Sequence, residues 1–252
     1  MYESENRKQN TVSAKNQLSL CHSVEIIEAE KAFMRVLFVG NSITRHGPKK
    51  EIGWNGDWGM AASCKEKDYV HQVVEMIRDK YGDISYCIAQ AAKWEKEYWK
   101  GIEAYKEEYK IAQVFKADLV IIRIGENISH KKNEEIDCKK YFDEMIRFFI
   151  EGNPNVKVIV TDCFWRYDKL DKMIKEIAAE RGYYYCRIND LEKNPTTMAL
   201  GEYEHEGVAV HPSDFGMQCI AERIMKKIID VLPFSIGDKT VKEEEHVYDI
   251  HK

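Results

Sequence analysis

Short apolar runs alternate with longer amphipathic segments from residue 34 onward. The apolar runs predict five strands, at 34–40, 83–90, 119–125, 156–161 and 183–188. Between and after them, apolar residues at helical spacing or long charged segments predict helices over 69–81, 95–115, 134–150, 169–181 and 212–232. Strands that alternate with helices in this way are typical of βαβ units and of a parallel sheet covered on both faces.

This alternation predicts an α/β fold, a three-layer α/β/α sandwich. Right-handed crossover connections leave few topologies for five such strands, and we expect a five-stranded parallel, flavodoxin-like sheet. We divide the chain into an N-terminal extension (1–33), one domain (34–236) and a charged C-terminal tail (237–252). Within the extension, Val24–Ile27 is compatible with a strand or with the start of a helix.

Composition excludes several classes of protein. With 44% hydrophobic residues among 252, the chain can form a sizeable core, so extensive disorder is excluded. Its 38 Lys and Arg against 43 Asp and Glu give a net charge of −5, which argues against nucleic acid as a partner. The apolar runs are far shorter than the roughly 20 residues of a membrane helix. We therefore expect a soluble protein with neither nucleic acid nor membrane as a partner.

Cysteine usage predicts a reducing compartment. The seven cysteines are scattered, odd in number and never in CxxC spacing, so we expect neither disulfides nor a zinc site. The N-terminus has no apolar segment of the secretory kind. A cytoplasmic protein without a metal or cofactor is the resulting prediction.

Three loops at the predicted carboxyl edge of the sheet contain side chains capable of chemistry. Gly40-Asn41-Ser42 follows the first strand, Gly125-Glu126-Asn127 follows the third, and His211 precedes the last helix. Taken singly, each is compatible with an ordinary turn or helix cap. Together they supply a hydroxyl, a side-chain amide and an imidazole, the groups that nucleophilic acyl transfer requires.

These three segments, in this order, resemble blocks I, III and V of the SGNH, or GDSL-like, esterases and acylhydrolases. The resemblance extends over roughly residues 34–231 and includes the run from His211 to Gly216. It implies that Ser42 is the nucleophile and His211 the general base. It also implies that the Ser42 backbone N–H and the Asn127 side chain stabilise the oxyanion.

The family usually has Asp in block I where this sequence has Asn41. Two other differences from the family pattern matter more. The segment 90–94 contains no glycine for block II, so we assign its oxyanion N–H to Ala92, with Lys93 and Trp94 as alternatives.

The second departure is Val208, which occupies the position, three residues before His211, where the family has its triad acid. The nearby Glu204 and Glu206 have the wrong spacing. Either another carboxylate orients His211 or a backbone carbonyl does, and we favour the second arrangement, a Ser–His dyad.

Aromatic residues suggest the substrate. Trp54 and Trp58 lie in the glycine-rich stretch after Ser42, and Trp165 follows the fourth strand, so all three are candidate walls of a substrate pocket, although a surface loop explains the first two equally well. We predict hydrolysis of short-chain acyl esters, including O-acetyl groups on carbohydrate. The alternatives are a non-catalytic carbohydrate- or ligand-binding module on the same fold and an acyltransferase; the oligomeric state is left open.

Overall fold

A computed structural model describes residues 23–232 of the chain. The strands are β1 (Val24–Ile27), β2 (Met34–Gly40), β3 (Ile84–Gln90), β4 (Leu119–Arg123), β5 (Lys157–Thr161) and β6 (Tyr184–Cys186). The helices are α1 (Tyr69–Tyr81), α2 (Ala92–Lys96), α3 (Lys106–Val114), α4 (His130–Glu135), α5 (Lys139–Ile150), α6 (Asp168–Arg181), α7 (Glu206–Ala209) and α8 (Asp214–Val231). Residues 1–22 and the predicted tail 237–252 lie outside the described part.

The strands form one six-stranded sheet in the order β1-β3-β2-β4-β5-β6. Strands β2 to β6 are parallel to their neighbours, and this part of the sheet is the predicted five-stranded, flavodoxin-like arrangement. The sixth strand is β1, which pairs antiparallel with β3 at the edge and was not counted in the prediction. The segment Val24–Ile27, which the sequence pattern left undecided, is therefore a strand.

Side chains alternate between the two faces of the sheet and form two cores. In β2, Leu37 and Val39 belong to one core, which α2, α3, α5 and α6 cover. Val36 and Phe38 belong to the other, which α1 and α8 cover. Because a parallel sheet needs helices on both faces to bury its apolar strands, this arrangement gives the three predicted layers.

Two predicted helices are each divided in the structure. The segment predicted as one helix over 95–115 consists of α2, two short 3-10 turns and α3; Gly101, with φ of +73°, lies between the two turns. A positive φ is incompatible with a continuous helix and is readily adopted by glycine. The segment predicted over 134–150 is split between α4 and α5. None of the helices within 23–232 is long and apolar enough to cross a membrane.

A small third core lies beneath the loop that follows Ser42. Its buried members are Trp54, Met60, Ala61, Ala199 and Val208. They come from the segment after β2 and from the segment before α8. This packing joins the two segments that contain Ser42 and His211.

Candidate active site

Three strands end side by side at the carboxyl edge of the sheet. Gly40 at the end of β2 pairs with Gln90 of β3 on one side and with Arg123 of β4 on the other. The Ala91 N–H donates to the Gly40 carbonyl at 2.6 Å, so the chain after β3 stays against the chain after β2. The segments that contain Ser42, Ala92 and Asn127 therefore begin at neighbouring positions.

The turn after β2 presents Ser42. The Asn41 carbonyl accepts hydrogen bonds from the N–H groups of Thr44 and Arg45, at 2.9 and 3.0 Å, and thereby closes a tight turn around the serine. A Cβ on Gly40 would lie 1.8 Å from Thr44 Oγ1 and 2.7 Å from the Arg123 carbonyl, so this turn requires glycine at position 40. Ser42 itself is partly exposed.

His211 lies against Ser42 although 169 residues separate them. Ser42 Oγ and His211 Nε2 are 2.8 Å apart, which is hydrogen-bond distance. The His211 carbonyl accepts from the Ala199 N–H at 3.0 Å, and Ser213 caps the N-terminus of α8 through the Gly216 N–H. The backbone on both sides of the histidine is thus fixed, and the imidazole faces the serine hydroxyl.

The His211 imidazole is neutral near pH 7. Burial, together with the positive charges of Arg123 and His46, lowers its pKa to about 4, while the backbone of Gly207 and the charge of Glu126 act in the opposite direction. A neutral imidazole whose Nε2 carries no proton can accept the serine proton. The pairing therefore has the protonation state that a general base requires.

No carboxylate of the described residues contacts the other ring nitrogen of His211. Glu204 and Glu206 are exposed, and Val208, at the position of the triad acid, is buried in the third core. His211 Nδ1 is buried without a hydrogen-bond partner among residues 23–232. The Gly207 backbone favours the charged form of the imidazole and so raises its pKa, although this contact is not a regular hydrogen bond. This arrangement is compatible with a Ser–His dyad.

A fully buried carboxylate, Glu95 of α2, lies behind the loop at the end of β4. Its Oε1 accepts from the backbone N–H groups of Gly125 and Asn127, at 2.7 and 2.8 Å. Its Oε2 accepts from Asn127 Nδ2 at 2.6 Å, and Asn41 Nδ2 donates to both oxygens, at 3.1 and 3.3 Å. Glu95 therefore connects the predicted oxyanion residue Asn127 to the residue next to Ser42.

A buried ion pair extends this network. The Arg123 guanidinium donates to both oxygens of Glu126, at 2.6 and 3.1 Å, and also to Asn41 Oδ1. Burial alone would raise the pKa of Glu126, but the charge of Arg123 and the N–H of Phe164 outweigh it and hold that pKa below its usual range. Glu126 is therefore ionised and paired with Arg123.

Sequence reasoning missed Glu95, Arg123 and the role of Glu126. Arg123 had a usable signal, because a charged residue in the apolar strand 119–124 requires a buried partner. Glu126 belonged to the block III motif but received no role. Glu95 had no such signal, since it stands among charged residues at the start of a segment that looks like a solvated helix.

Each predicted oxyanion residue occupies a definite place. Ala92 is the first residue of α2, where backbone N–H groups have no partner within the helix. Lys93 is exposed and Trp94 is buried in the core. Asn127 is partly exposed and gives one side-chain N–H to Glu95.

The three tryptophans differ in their relation to the site. Trp165 packs edge-on against His211, with ring centroids 5.1 Å apart, and thus lies beside the Ser42–His211 pair. Trp58 is partly buried, and its Nε1 donates to the Ala62 carbonyl. Trp54 is only 2% exposed and packs in the third core, where its Nε1 donates to the His46 carbonyl. Trp54 therefore supports the loop and offers almost no surface to a ligand.

A small cavity lies beside the turn that presents Ser42. It has a volume of about 180 Å³ and is lined by Arg45, Gly47, Pro48, Asp57 and Gln90. Arg45 and Asp57 form a two-point ion pair, at 2.9 and 2.8 Å. Among residues 23–232, no group of three or more His, Cys, Asp or Glu side chains is placed to hold a metal ion.

Comparisons with known proteins identify the fold. The sequence matches no protein-family model and no curated protein. Among solved structures, it is similar to a lipase/acylhydrolase from Enterococcus faecalis, with a TM-score of 0.52 and 16% identity over 79% of this chain and 97% of the other.

In two further similar structures, the matched region is only part of a longer chain. One is a two-domain esterase active on acetylated mannans, with a TM-score of 0.51, 13% identity, and coverage of 82% of this chain and 51% of the other. The second is a salicylyl-acyltransferase from a tetracycline biosynthetic pathway, with a TM-score of 0.54, 13% identity, and coverage of 81% and 56%. The chain thus has the α/β/α fold of the SGNH, or GDSL-like, esterases and acylhydrolases that its motifs resemble.

Proposed function

We propose that this protein is a serine esterase that hydrolyses short-chain acyl esters. The observation that carries the proposal is the contact of 2.8 Å between Ser42 Oγ and Nε2 of a buried, neutral His211. A serine beside an unprotonated base is the arrangement that nucleophilic acyl transfer needs. The esterases and acylhydrolases that share the fold support the same reaction class.

The reaction proceeds in two steps through an acyl-enzyme. His211 takes the proton of Ser42 as Oγ attacks the ester carbonyl, and the resulting oxyanion accepts hydrogen bonds from the Ser42 and Ala92 backbone N–H groups and from Asn127 Nδ2. The imidazolium then protonates the leaving alcohol as the ester C–O bond breaks. In the second step His211 activates water, which releases the acid and restores Ser42.

We propose O-acetyl groups on carbohydrate as the substrate class. The cavity beside the site is small, and the charged and amide groups of Arg45, Asp57 and Gln90 in its lining bind sugar hydroxyls better than a long alkyl chain. Trp165, beside His211, offers an aromatic face of the kind on which sugar rings pack. One structure with the same fold is described as an esterase active on acetylated mannans, which agrees with this choice.

A series of p-nitrophenyl esters tests the proposed acyl preference. We expect kcat/KM to fall from acetate to butyrate to octanoate, because the small cavity offers little apolar surface to longer chains. Release of p-nitrophenol by wild type and by Ser42→Ala, measured side by side, separates enzymatic from background hydrolysis. Turnover that rises with chain length would contradict the carbohydrate-acetate assignment and indicate a lipid-like acyl group.

Replacing Asn127 with alanine should lower kcat by about 10²- to 10³-fold, the usual effect of removing one oxyanion donor. KM should change little, since the interaction strengthens only when the carbonyl oxygen becomes charged. Steady-state kinetics on p-nitrophenyl acetate measures both constants. A variant with unchanged kcat would remove Asn127 from the oxyanion site.

A further inference from the structure

The carboxylate of Glu95 takes no part in the steps proposed above, yet it is completely buried beside them. All its hydrogen-bond partners are N–H groups: the side-chain amides of Asn41 and Asn127 and the backbone of Gly125 and Asn127. An N–H group can only donate, and an ionised carboxylate, which accepts at about four positions, matches such a set of partners. A protonated Glu95 would direct its own O–H at a donor.

We propose that Glu95 is the positioning residue of the oxyanion site, and that it acts through Asn127 only as the carboxylate. This inference rests on the proposed function, since it assigns what holds one of the oxyanion donors in place. Asparagine amides rotate over a broad range about their terminal torsion, and nothing intrinsic decides which end faces a substrate. Glu95 Oε2 accepts from Asn127 Nδ2, at 2.6 Å, and so fixes the nitrogen end of the amide in place.

The geometry leaves one donor of Asn127 for the substrate. Its Nδ2 carries two hydrogens, of which Glu95 takes one. No other acceptor for Nδ2 occurs within residues 23–232. The same carboxylate holds the Gly125 and Asn127 backbone N–H groups, at 2.7 and 2.8 Å, so the loop and the amide are fixed together.

This network also explains why asparagine stands at position 41. Asn41 Nδ2 donates to Glu95 and, at 2.7 Å, to Glu126 Oε2, while Asn41 Oδ1 accepts from Arg123. An aspartate here would place a third carboxylate against Glu95 and Glu126, with one guanidinium to compensate. The amide bridges the two carboxylates without adding charge.

The charges around Glu95 make its ionisation sensitive to pH. Burial and the negative charge of Glu126 raise its pKa to about 7, against the hydrogen bonds from Asn127 and Gly125, which lower it. Arg123 is the positive group of the network and binds Glu126 directly. The Cys163 thiol is a further titratable neighbour, and it stays neutral because burial raises its pKa well above the usual range.

Activity should therefore be lost as the pH falls through about 7, when Glu95 takes up a proton and the Asn127 amide is released. Without Glu95, the acid limb of the pH–activity profile should instead reflect protonation of His211, near pH 4. The two groups thus predict limbs about three pH units apart, and replacement of Glu95 distinguishes them.

The test is Glu95→Gln, which preserves shape and removes the charge. If the glutamine oxygen occupies the Oε1 position, the amide nitrogen faces Asn127 Nδ2, so that one donor faces another. If the amide is reversed, its nitrogen faces the backbone N–H groups of Gly125 and Asn127 instead. We expect kcat on p-nitrophenyl acetate to fall by about 10- to 10³-fold with KM little changed. The acid limb of the remaining activity should move from near pH 7 to near pH 4.

A double variant separates positioning from general structural damage. If Glu95 acts through Asn127, Glu95→Gln combined with Asn127→Ala should be no slower than Asn127→Ala alone. The matched control is Asp171→Asn, another buried carboxylate whose partners are N–H groups, those of Cys163, Tyr167 and Asn189. It should leave kcat and its acid limb unchanged. Full multiplicative loss in the double variant, or wild-type kcat in Glu95→Gln, would overturn the proposal.

NMR of protein labelled with ¹⁵N-asparagine distinguishes failure of this inference from failure of the proposed function. The Asn127 side-chain NH₂ signals should titrate near pH 7 in wild type and show no such step in Glu95→Gln. An enzyme without Ser42-dependent turnover but with this titration would refute the esterase and leave the Glu95–Asn127 coupling supported. If the enzyme is active but the pH titration of the Asn127 side-chain signals is the same in wild type and Glu95→Gln, the positioning role is refuted and the esterase proposal stands.

Discussion

Ser42→Ala should lower the turnover of p-nitrophenyl acetate by roughly 10⁴- to 10⁶-fold, the range found when a catalytic serine is removed. The Ser42 side chain is partly exposed, and its hydroxyl lies at hydrogen-bond distance from His211 Nε2. Loss of one hydroxyl therefore removes the nucleophile without opening a cavity in the core. Kinetics at saturating ester, together with thermal unfolding of both proteins, measures the effect and checks that the fold is retained.

The matched control for this prediction is Ser63→Ala. Ser63 is an exposed serine of the same loop whose hydroxyl donates to Asp214 at 2.6 Å, and its replacement should leave turnover unchanged. A serine-reactive phosphonate should label wild type and Ser63→Ala stoichiometrically and leave Ser42→Ala unlabelled. A wild-type protein that is neither labelled nor active would favour the alternative, a non-catalytic binding module on the same fold.

Much of the fold was predictable because it depends on local pattern. The apolar runs of β2 to β5 and the helical spacing in α1 predicted elements that the structure places within one or two residues. Periodicity failed where a single backbone position interrupts a continuous pattern, as at Gly101, whose positive φ separates two short turns before α3. The edge strand β1 was undecided because four residues are too few for periodicity to distinguish strand from helix.

The residues of the site also divide into those that the sequence could identify and those that it could not. Ser42, Asn127 and His211 were identifiable because each stands in a short motif directly beyond a strand or before a helix, where the topology brings chain ends together. Glu95 was not, because its role depends on four N–H donors that come from two distant segments of the chain, the turn at Asn41 and the loop 125–127. Trp54 shows the opposite case: its place in sequence suggested a pocket wall, and its packing against Val208 and Ala199 makes it part of a core.

His211→Ala should lower kcat/KM by a similar factor, roughly 10⁴- to 10⁶-fold, because a serine hydroxyl without a base is a weak nucleophile near neutral pH. His205→Ala is the matched control: His205 is exposed, stands in the same segment, and forms no side-chain cap at the start of α7. The same ester kinetics measures both variants, and the control should keep wild-type turnover.

The double variant Ser42→Ala with His211→Ala gives the sharper test of the pair. If the two side chains act as one unit, their losses are not additive, and the double variant should be about as slow as either single one. Imidazole added to His211→Ala should restore part of the turnover, since it can occupy the space left by the buried ring and accept the Ser42 proton, but it should restore nothing in Ser42→Ala. A His211→Ala variant with near-normal activity, beside an inactive Ser42→Ala, would show that another base serves Ser42.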